Sequence, residues 1–416
     1  MPERHPTRQV VALPNVRFFV SERFFGAFAH SLLHATIAWH LWKASGSYAV
    51  LGWLGAVEFA PVIPASLLAG ALADAWDRRR IVLIAQAIAA AGATALCFVT
   101  GTGEGEIPLV LITAFALSLA LAFENPAGAA LLPALVPREL FPAATVVNAN
   151  VRNLARMSGP VAMGAVVKLA GIPAAYALTA VLYVCALLAL LQVRAPAIAG
   201  ATGRVSIASI REGVRFARQQ PVILGSMTLD MFAVIFAGAT ALLPVYADEI
   251  LGVGEVGYGV LSASMQMGTV LMALLLLVMR PIARPGRALL ISVLFFGLAT
   301  IVFGLSRSFP LSVAAFLIAG MADQVSMVTR SIIIQLSTPD ALRGRVNSVN
   351  MIFIGASNEL GAAESGFLAA LTSATFSVVA GGIACLGVLA AITAGVPSLR
   401  SYRVGAEPVA DRYPGV

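Results

Sequence analysis

Glu58, Asp230, Asp323 and Glu359 each stand alone near the centre of a long apolar run. A charge at that depth in hydrocarbon costs at least about 2.5–3.5 kcal/mol on insertion scales, so such groups usually face a cavity and act there. An isolated carboxyl in low dielectric binds a proton readily. Asp230 and Glu359 are the preferred proton-coupling acids, with Asp323 and Glu58 beside them. Glu364 lies five residues further along the run that holds Glu359. Gly26, His30 and His34 recur every four residues and share one helix face, which Glu22 opens. Imidazoles titrate near physiological pH, so this stripe could hold or pass protons; hydrogen-bonded packing is the plainer reading. Arg152 and Arg156, one turn apart, could pair with Glu58, Asp230 or Glu359, or with an anionic substrate. His30, His34, Arg152, Arg156 and Glu22 form the expected substrate-binding set. His40, beside Trp39 and Trp42, reads as an interfacial residue, and Glu124 and Asn125 beside Pro126 as gate or cap.

These groups need elements to position them. Hydrophobic residues make up 59% of the 416 and charged residues 11%, far below the globular norm of about 25% charged. A soluble domain of this size has too much surface to hide that composition. Apolar runs long enough to cross a bilayer fall near 18–42, 48–72, 81–100, 107–125, 144–169, 173–193, 221–246, 255–279, 288–306, 309–330, 346–371 and 374–396. Charged residues scattered through the first 23 positions argue against a cleaved leader. Cys97, Cys185 and Cys385 lie inside apolar runs without metal-ligand spacing and read as packing residues. No metal site is expected.

The net charge of +7 has an explanation other than nucleic-acid binding. With the N-terminus inside, 24 of the 27 Lys and Arg fall on one side, leaving Lys43, Lys168 and Arg307 on the other. The positive-inside rule makes that basic side cytoplasmic, with both termini on it. The longest break, 194–220, separates two halves. Within it Ile207, Ile210, Val214 and Ala217 share one helical face, and Arg211, Arg215 and Arg218 another. This reads as a surface helix, either along the inner leaflet or simply solvated. A shift of 202 residues aligns Pro137 with Pro339, Leu140 with Leu342, Val147-Asn148 with Val349-Asn350, Gly159 with Gly361 and Gly164 with Gly366. The expected organisation is a bundle over 1–193, a linker over 194–220, a second bundle over 221–400 and a tail over 401–416. Parallel repeats of this kind are a transporter architecture.

The segment Gly70-Ala-Leu-Ala-Asp74-Ala-Trp-Asp77-Arg78-Arg79-Arg80 resembles the signature loop of the major facilitator superfamily, with Ala75 replacing its usual basic residue and Asp77 its usual glycine. Arg156-Met-Ser-Gly159-Pro160-Val-Ala-Met-Gly164 is similar to the Gly-Pro-x-x-x-Gly element of that superfamily's antiporters. Pro160 removes a backbone donor and bends a helix; Gly159 and Gly164 permit close packing. Further stretches, Phe123-Glu-Asn-Pro-Ala127, Thr338-Pro-Asp-Ala-Leu-Arg343-Gly-Arg345-Val and Phe353-Ile-Gly-Ala-Ser-Asn-Glu-Leu-Gly361 among them, resemble the branch of the enterobactin exporter and related drug and macrolide exporters. Gly70, Asp74, Asp77, Arg78, Arg79, Arg343, Arg345, Gly159, Pro160 and Gly164 are the gating residues this resemblance implies.

The resemblance implies an all-α membrane protein of twelve transmembrane helices in two pseudo-symmetric six-helix bundles, the major facilitator fold. It implies a monomer of the bacterial inner membrane, exporting a small amphipathic compound (a siderophore or drug) by proton antiport. No cofactor is expected beyond the proton gradient, and no GxxxxGK[ST] element points to ATP. A lysolipid flippase on the same fold is the alternative. A membrane-embedded lipid-modifying enzyme would need a clustered catalytic set, and neither HExxH nor GxSxG is present.

Overall fold

The computed structural model describes residues 6–62, 64–65, 76–101, 105–194 and 207–404. Among them the chain is helical and forms no strand. Helix α1 spans Pro14–Ser45 and α2 Tyr48–Phe59. Helix α3 spans Arg78–Val99 and α4 Glu106–Leu135. One continuous element, Phe141–Gln192, breaks at Gly171 (φ 82°, ψ 174°), a region of backbone space essentially open only to glycine. We number its parts α5 (141–170) and α6 (172–192). The expected break between 169 and 173 falls at this residue. Beyond it come α7 (Pro221–Ala237), α8 (Gly254–Val278), α9 (Pro285–Leu305), α10 (Phe309–Leu336), α11 (Asp340–Leu371) and α12 (Ala374–Gly395).

The helix ends follow local chemistry. Pro14, Pro221 and Pro285 open their helices, where the missing N–H would have no partner anyway. Gly46 closes α1 in the left-handed conformation, its N–H reaching the Trp42 carbonyl at 2.8 Å. Asp77 caps α3 by accepting from the Arg79 N–H at 2.9 Å.

Eight described segments are long and apolar enough to cross a membrane, one of them the pair α5–α6. Helices α1 and α11, at 32 residues each, reach about 48 Å but carry more polar residues. The twelve expected crossings are therefore not a count that length and composition alone return.

The structure sorts into two compact units that interleave along the chain. One takes Met1–Gly46, Val57–Arg204 and Gly254–Ala263; the other takes Ser47–Ala56, Val205–Val253 and Ser264–Val416. Small residues explain the two exchanged segments. In the second unit Gly52 and Gly55 of α2 press on α11, where a Cβ on Gly55 would stand 2.5 Å from the Ala363 nitrogen, and Gly366 meets the Gly52 backbone. In the first unit Gly259 of α8 meets the Pro160 carbonyl, and a Cβ on Gly164 would stand 2.5 Å from the Glu255 carbonyl. Backbone-to-backbone approach of this kind is what glycine permits in membrane helices.

The core of the first unit gathers Val16, Phe19, Val82, Leu131, Ala144 and Leu190. That of the second gathers Leu229, Ala233, Leu289, Val293, Phe296 and Cys385. The linker helix spans Ile207–Gln219 within the second unit. Ala217 is buried, Arg211, Arg215 and Arg218 are exposed, and Gly213 sits on the Arg345 backbone.

Candidate functional site

The polar interior of the first unit begins on α1. Turns of 3.6 residues stack Glu22, Gly26, His30 and His34 along one stripe, but the stripe has two environments. Its upper part is open: the His34 side chain is 54% exposed, its Nε2 lies 3.6 Å from the Glu58 carboxylate, and the His30 and His34 rings are 6.5 Å apart. Ser118 of α4 donates to the Glu58 carbonyl at 2.6 Å and fixes that end of α2. Arg152 and Arg156 of α5 face His30 electrostatically.

The lower part is closed. Glu22 is fully buried because α3 covers the stripe where Gly26 leaves room for Gln86. The Gln86 amide donates to Glu22 at 2.6 Å and to Glu124 of α4 at 3.2 Å. Arg23 lies 3.2 Å from Glu22 and 3.7 Å from Glu124. The spacing placed Glu22 correctly on the stripe of His30 but could not show that another helix seals it off. Arg23 itself is 6% exposed and paired within the bundle.

Helix α5 docks on α1 through its Gly-Pro element. Pro160 has no N–H for the Arg156 carbonyl, and the Ser31 hydroxyl donates to that carbonyl at 2.7 Å. A Cβ on Gly159 would lie 2.7 Å from the Leu32 nitrogen.

In the second unit Asp230 of α7 is paired with Arg330 of α10 and accepts from the Ser326 hydroxyl at 3.2 Å. Both charges are buried, at 6% and 4% exposure. Of the partners open to Asp230, neither Arg152 nor Arg156 is taken: Arg330, inside α10, holds that place. Among the described residues no acid lies within 4.0 Å of Arg152 or Arg156. Asp323 and Glu359 are half-buried on α10 and α11, and Glu364 is bonded by Ser365 at 3.4 Å.

Arg23 and Asp230 hold the same step after the helix-opening Pro14 and Pro221, in a register that differs from the 202-residue shift. The 202-residue shift sets Gly128 opposite Arg330 and Glu124 opposite Ser326. In the first unit the guanidinium on α1 lies over Gly128 of α4; in the second the arginine comes from α10 instead.

Gly70 and Asp74 lie outside the described residues. Of the loop's remaining residues, Arg78 donates to the Ala130 carbonyl at 3.3 Å, and Arg79 to the Leu190 and Leu191 carbonyls at 3.1 and 2.9 Å. These bonds tie the start of α3 to the ends of α4 and α6, where free carbonyls attract cations. Arg343 pairs with Asp340 at 2.9 Å and donates to the Gln335 carbonyl, while Arg345 reaches Glu212 of the linker helix at 2.7 Å.

One buried constellation escaped the sequence. His40 is 3% exposed: its Nδ1 lies 2.8 Å from the Tyr176 hydroxyl and its Nε2 2.6 Å from Glu106. Its partners Glu106 and Tyr176 stand 66 and 136 positions away, so no local pattern links them. No group of three or more potential metal ligands occurs among the described residues.

Residues 20–409 match the family described as transmembrane secretion effector. The enterobactin exporters EntS of Shigella boydii serotype 4 and Escherichia coli O139:H28 are 25% identical over 339 residues, 81% of this chain and 81% of theirs. Among solved structures, a POT peptide transporter superposes with a TM-score of 0.74 at 14% identity, covering 96% of this chain and 99% of its own. A bacterial homologue of the human lysosomal transporter Spinster, inward-facing and occupied, gives 0.72 at 16% identity, covering 97% and 100%. These structural likenesses speak to the fold. The chain belongs to the transmembrane secretion effector family of the major facilitator superfamily: it is a multi-pass membrane transporter and not an enzyme.

Proposed function

We propose that this secretion-effector family member is a proton-coupled antiporter of the bacterial inner membrane, exporting a small amphipathic compound by alternating access. The observation that carries the reading is the His34–Glu58 pair: an acid and an imidazole 3.6 Å apart on the facing helices α1 and α2. Such a pair can take a proton and release it as its surroundings change. Arg152 and Arg156, without an acid partner within ion-pair distance, are suited to an anionic group on the substrate. Likeness to enterobactin exporters supports a siderophore as the first substrate to try. Asp230, bonded to Arg330 and Ser326, serves the helix packing first, with Asp323 and Glu359 as secondary proton groups.

In this reading both termini are cytoplasmic and the protein works as a monomer. The crossings of Gly164 with α8 and of Gly366 with α2 are the packing that must loosen when access alternates, as are the ties of Asp77, Arg78, Arg79, Arg343 and Arg345. Enterobactin transport into proteoliposomes under an imposed pH gradient tests it. Efflux should follow the gradient in the wild type and lose that dependence in Glu58→Gln. Gradient-independent movement in the wild type would sink the antiport reading.

A further inference from the structure

The cluster of buried Glu22, Arg23 and Gln86 with half-buried Glu124 holds more negative than positive charge within ion-pair distance. Two carboxylates face one guanidinium, at 3.2 and 3.7 Å from Arg23. The groups come from three helices: Glu22 and Arg23 on α1, Gln86 on α3 and Glu124 on α4. Arg152 of α5 and Tyr183 of α6 act on the cluster electrostatically, Arg152 on both acids and Tyr183 on Glu124. An unbalanced charge in a low-dielectric interior is expensive unless it is neutralised.

Gln86 and Glu22 are fully buried, and the Gln86 amide nitrogen already serves both acids. Gln86 Oε1 accepts no hydrogen bond. Glu22 Oε2 lies 3.2 Å from Arg23 Nε without forming an aligned hydrogen bond, and Arg23 Nε and Nη2 donate none. Two acceptors and two donors of one closed cluster are thus left unsatisfied together. Buried polar atoms are nearly always satisfied, so each exception asks for an explanation.

We propose that the Glu22–Glu124 pair, bridged by Gln86, is a proton-binding site of this transporter, taking up one proton between its two carboxylates. A hydronium ion transfers its proton to a carboxylate oxygen, forming one O–H bond and leaving water. The protonated acid becomes a donor, and the Gln86 amide, turned about its last bond, presents its carbonyl to receive it. Arg23 then follows the carboxylate that keeps its charge. Its Nη2 has no acceptor and lies over Gly128, where only a missing side chain leaves room. Arg152 also acts on Arg156 and His30, which links the buried pair to the open half of the α1 stripe. As the coupling proton of an exporter the site rests on the antiport reading; as a proton site it stands by itself.

Infrared difference spectra of the full-length protein in lipid nanodiscs, between acid and alkaline buffer, test it without any substrate. The expected result is one protonated-carboxyl band that is lost in Glu22→Gln and in Glu124→Gln and shifted in Gln86→Leu. A band undiminished in both acid variants, or no band in the wild type, overturns the site. If Glu22→Gln fails to fold, Glu124→Gln and Gln86→Leu decide the question in the same way. Enterobactin efflux by the wild type under a pH gradient separates the two readings. A gradient-driven efflux with a band indifferent to these substitutions leaves antiport standing and removes the site. A responsive band with gradient-indifferent efflux does the reverse.

Discussion

The Ser31 hydroxyl donates at 2.7 Å to the carbonyl of Arg156, the acceptor that Pro160 leaves without its helical N–H. One side chain on α1 thus repairs the defect that a proline makes in α5, and the repair sits next to His30. Ser31→Ala should cost about 0.5–1.5 kcal/mol, the net contribution of one hydrogen bond. Pro160→Ala restores the N–H, so the double variant should be more stable than Ser31→Ala alone. Thermal unfolding in detergent checks this, and additive losses would show that the two residues are uncoupled.

Asp230 and Arg330 give a second thermodynamic cycle. Removing one partner of a buried pair leaves an uncompensated charge, so Asp230→Asn and Arg330→Met should each destabilise by about 3–5 kcal/mol. Combining Asp230→Leu with Arg330→Met should recover most of that loss, because no lone charge remains. The melting temperatures of the three proteins measure it; a double variant as unstable as the singles would contradict the pairing.

Glu58→Gln keeps the shape of the His34 contact and removes its charge. We expect gradient-driven enterobactin efflux to fall by about tenfold or more, an effect of about 1.4 kcal/mol on the barrier, with the protein still folded. Unchanged initial rates across a series of imposed gradients would assign the coupling elsewhere.

Gly366→Leu should act on both stability and transport. The Gly366 position meets the Gly52 backbone directly, so an added side chain must push α11 off α2, at a cost of about 1–3 kcal/mol for overpacking. Gly344→Leu, where an added Cβ meets nothing within 4 Å, is the matched control and should melt within a degree or two of the wild type. Equal losses in the two variants would deny the crossing its special role.

The sequence alone determined a good deal. Composition and the length of the apolar runs fixed an all-helical membrane chain, because hydrocarbon admits little else. The break near Gly171 and the equivalence of Gly164 and Gly366 were readable because glycine and proline act on their own backbone. The stripe of His30 and His34 followed from helical period. Pairing did not follow from any of these. Arg23 and Arg330 counted only among the basic residues of one side, nothing joined His40 to Glu106, and the partners open to Asp230 were Arg152 and Arg156. Each of these partnerships joins residues far apart in sequence: Arg23 with Glu124, His40 with Glu106, Asp230 with Arg330. A charge can be buried only where another helix supplies its complement, and only the tertiary packing decides which helix that is.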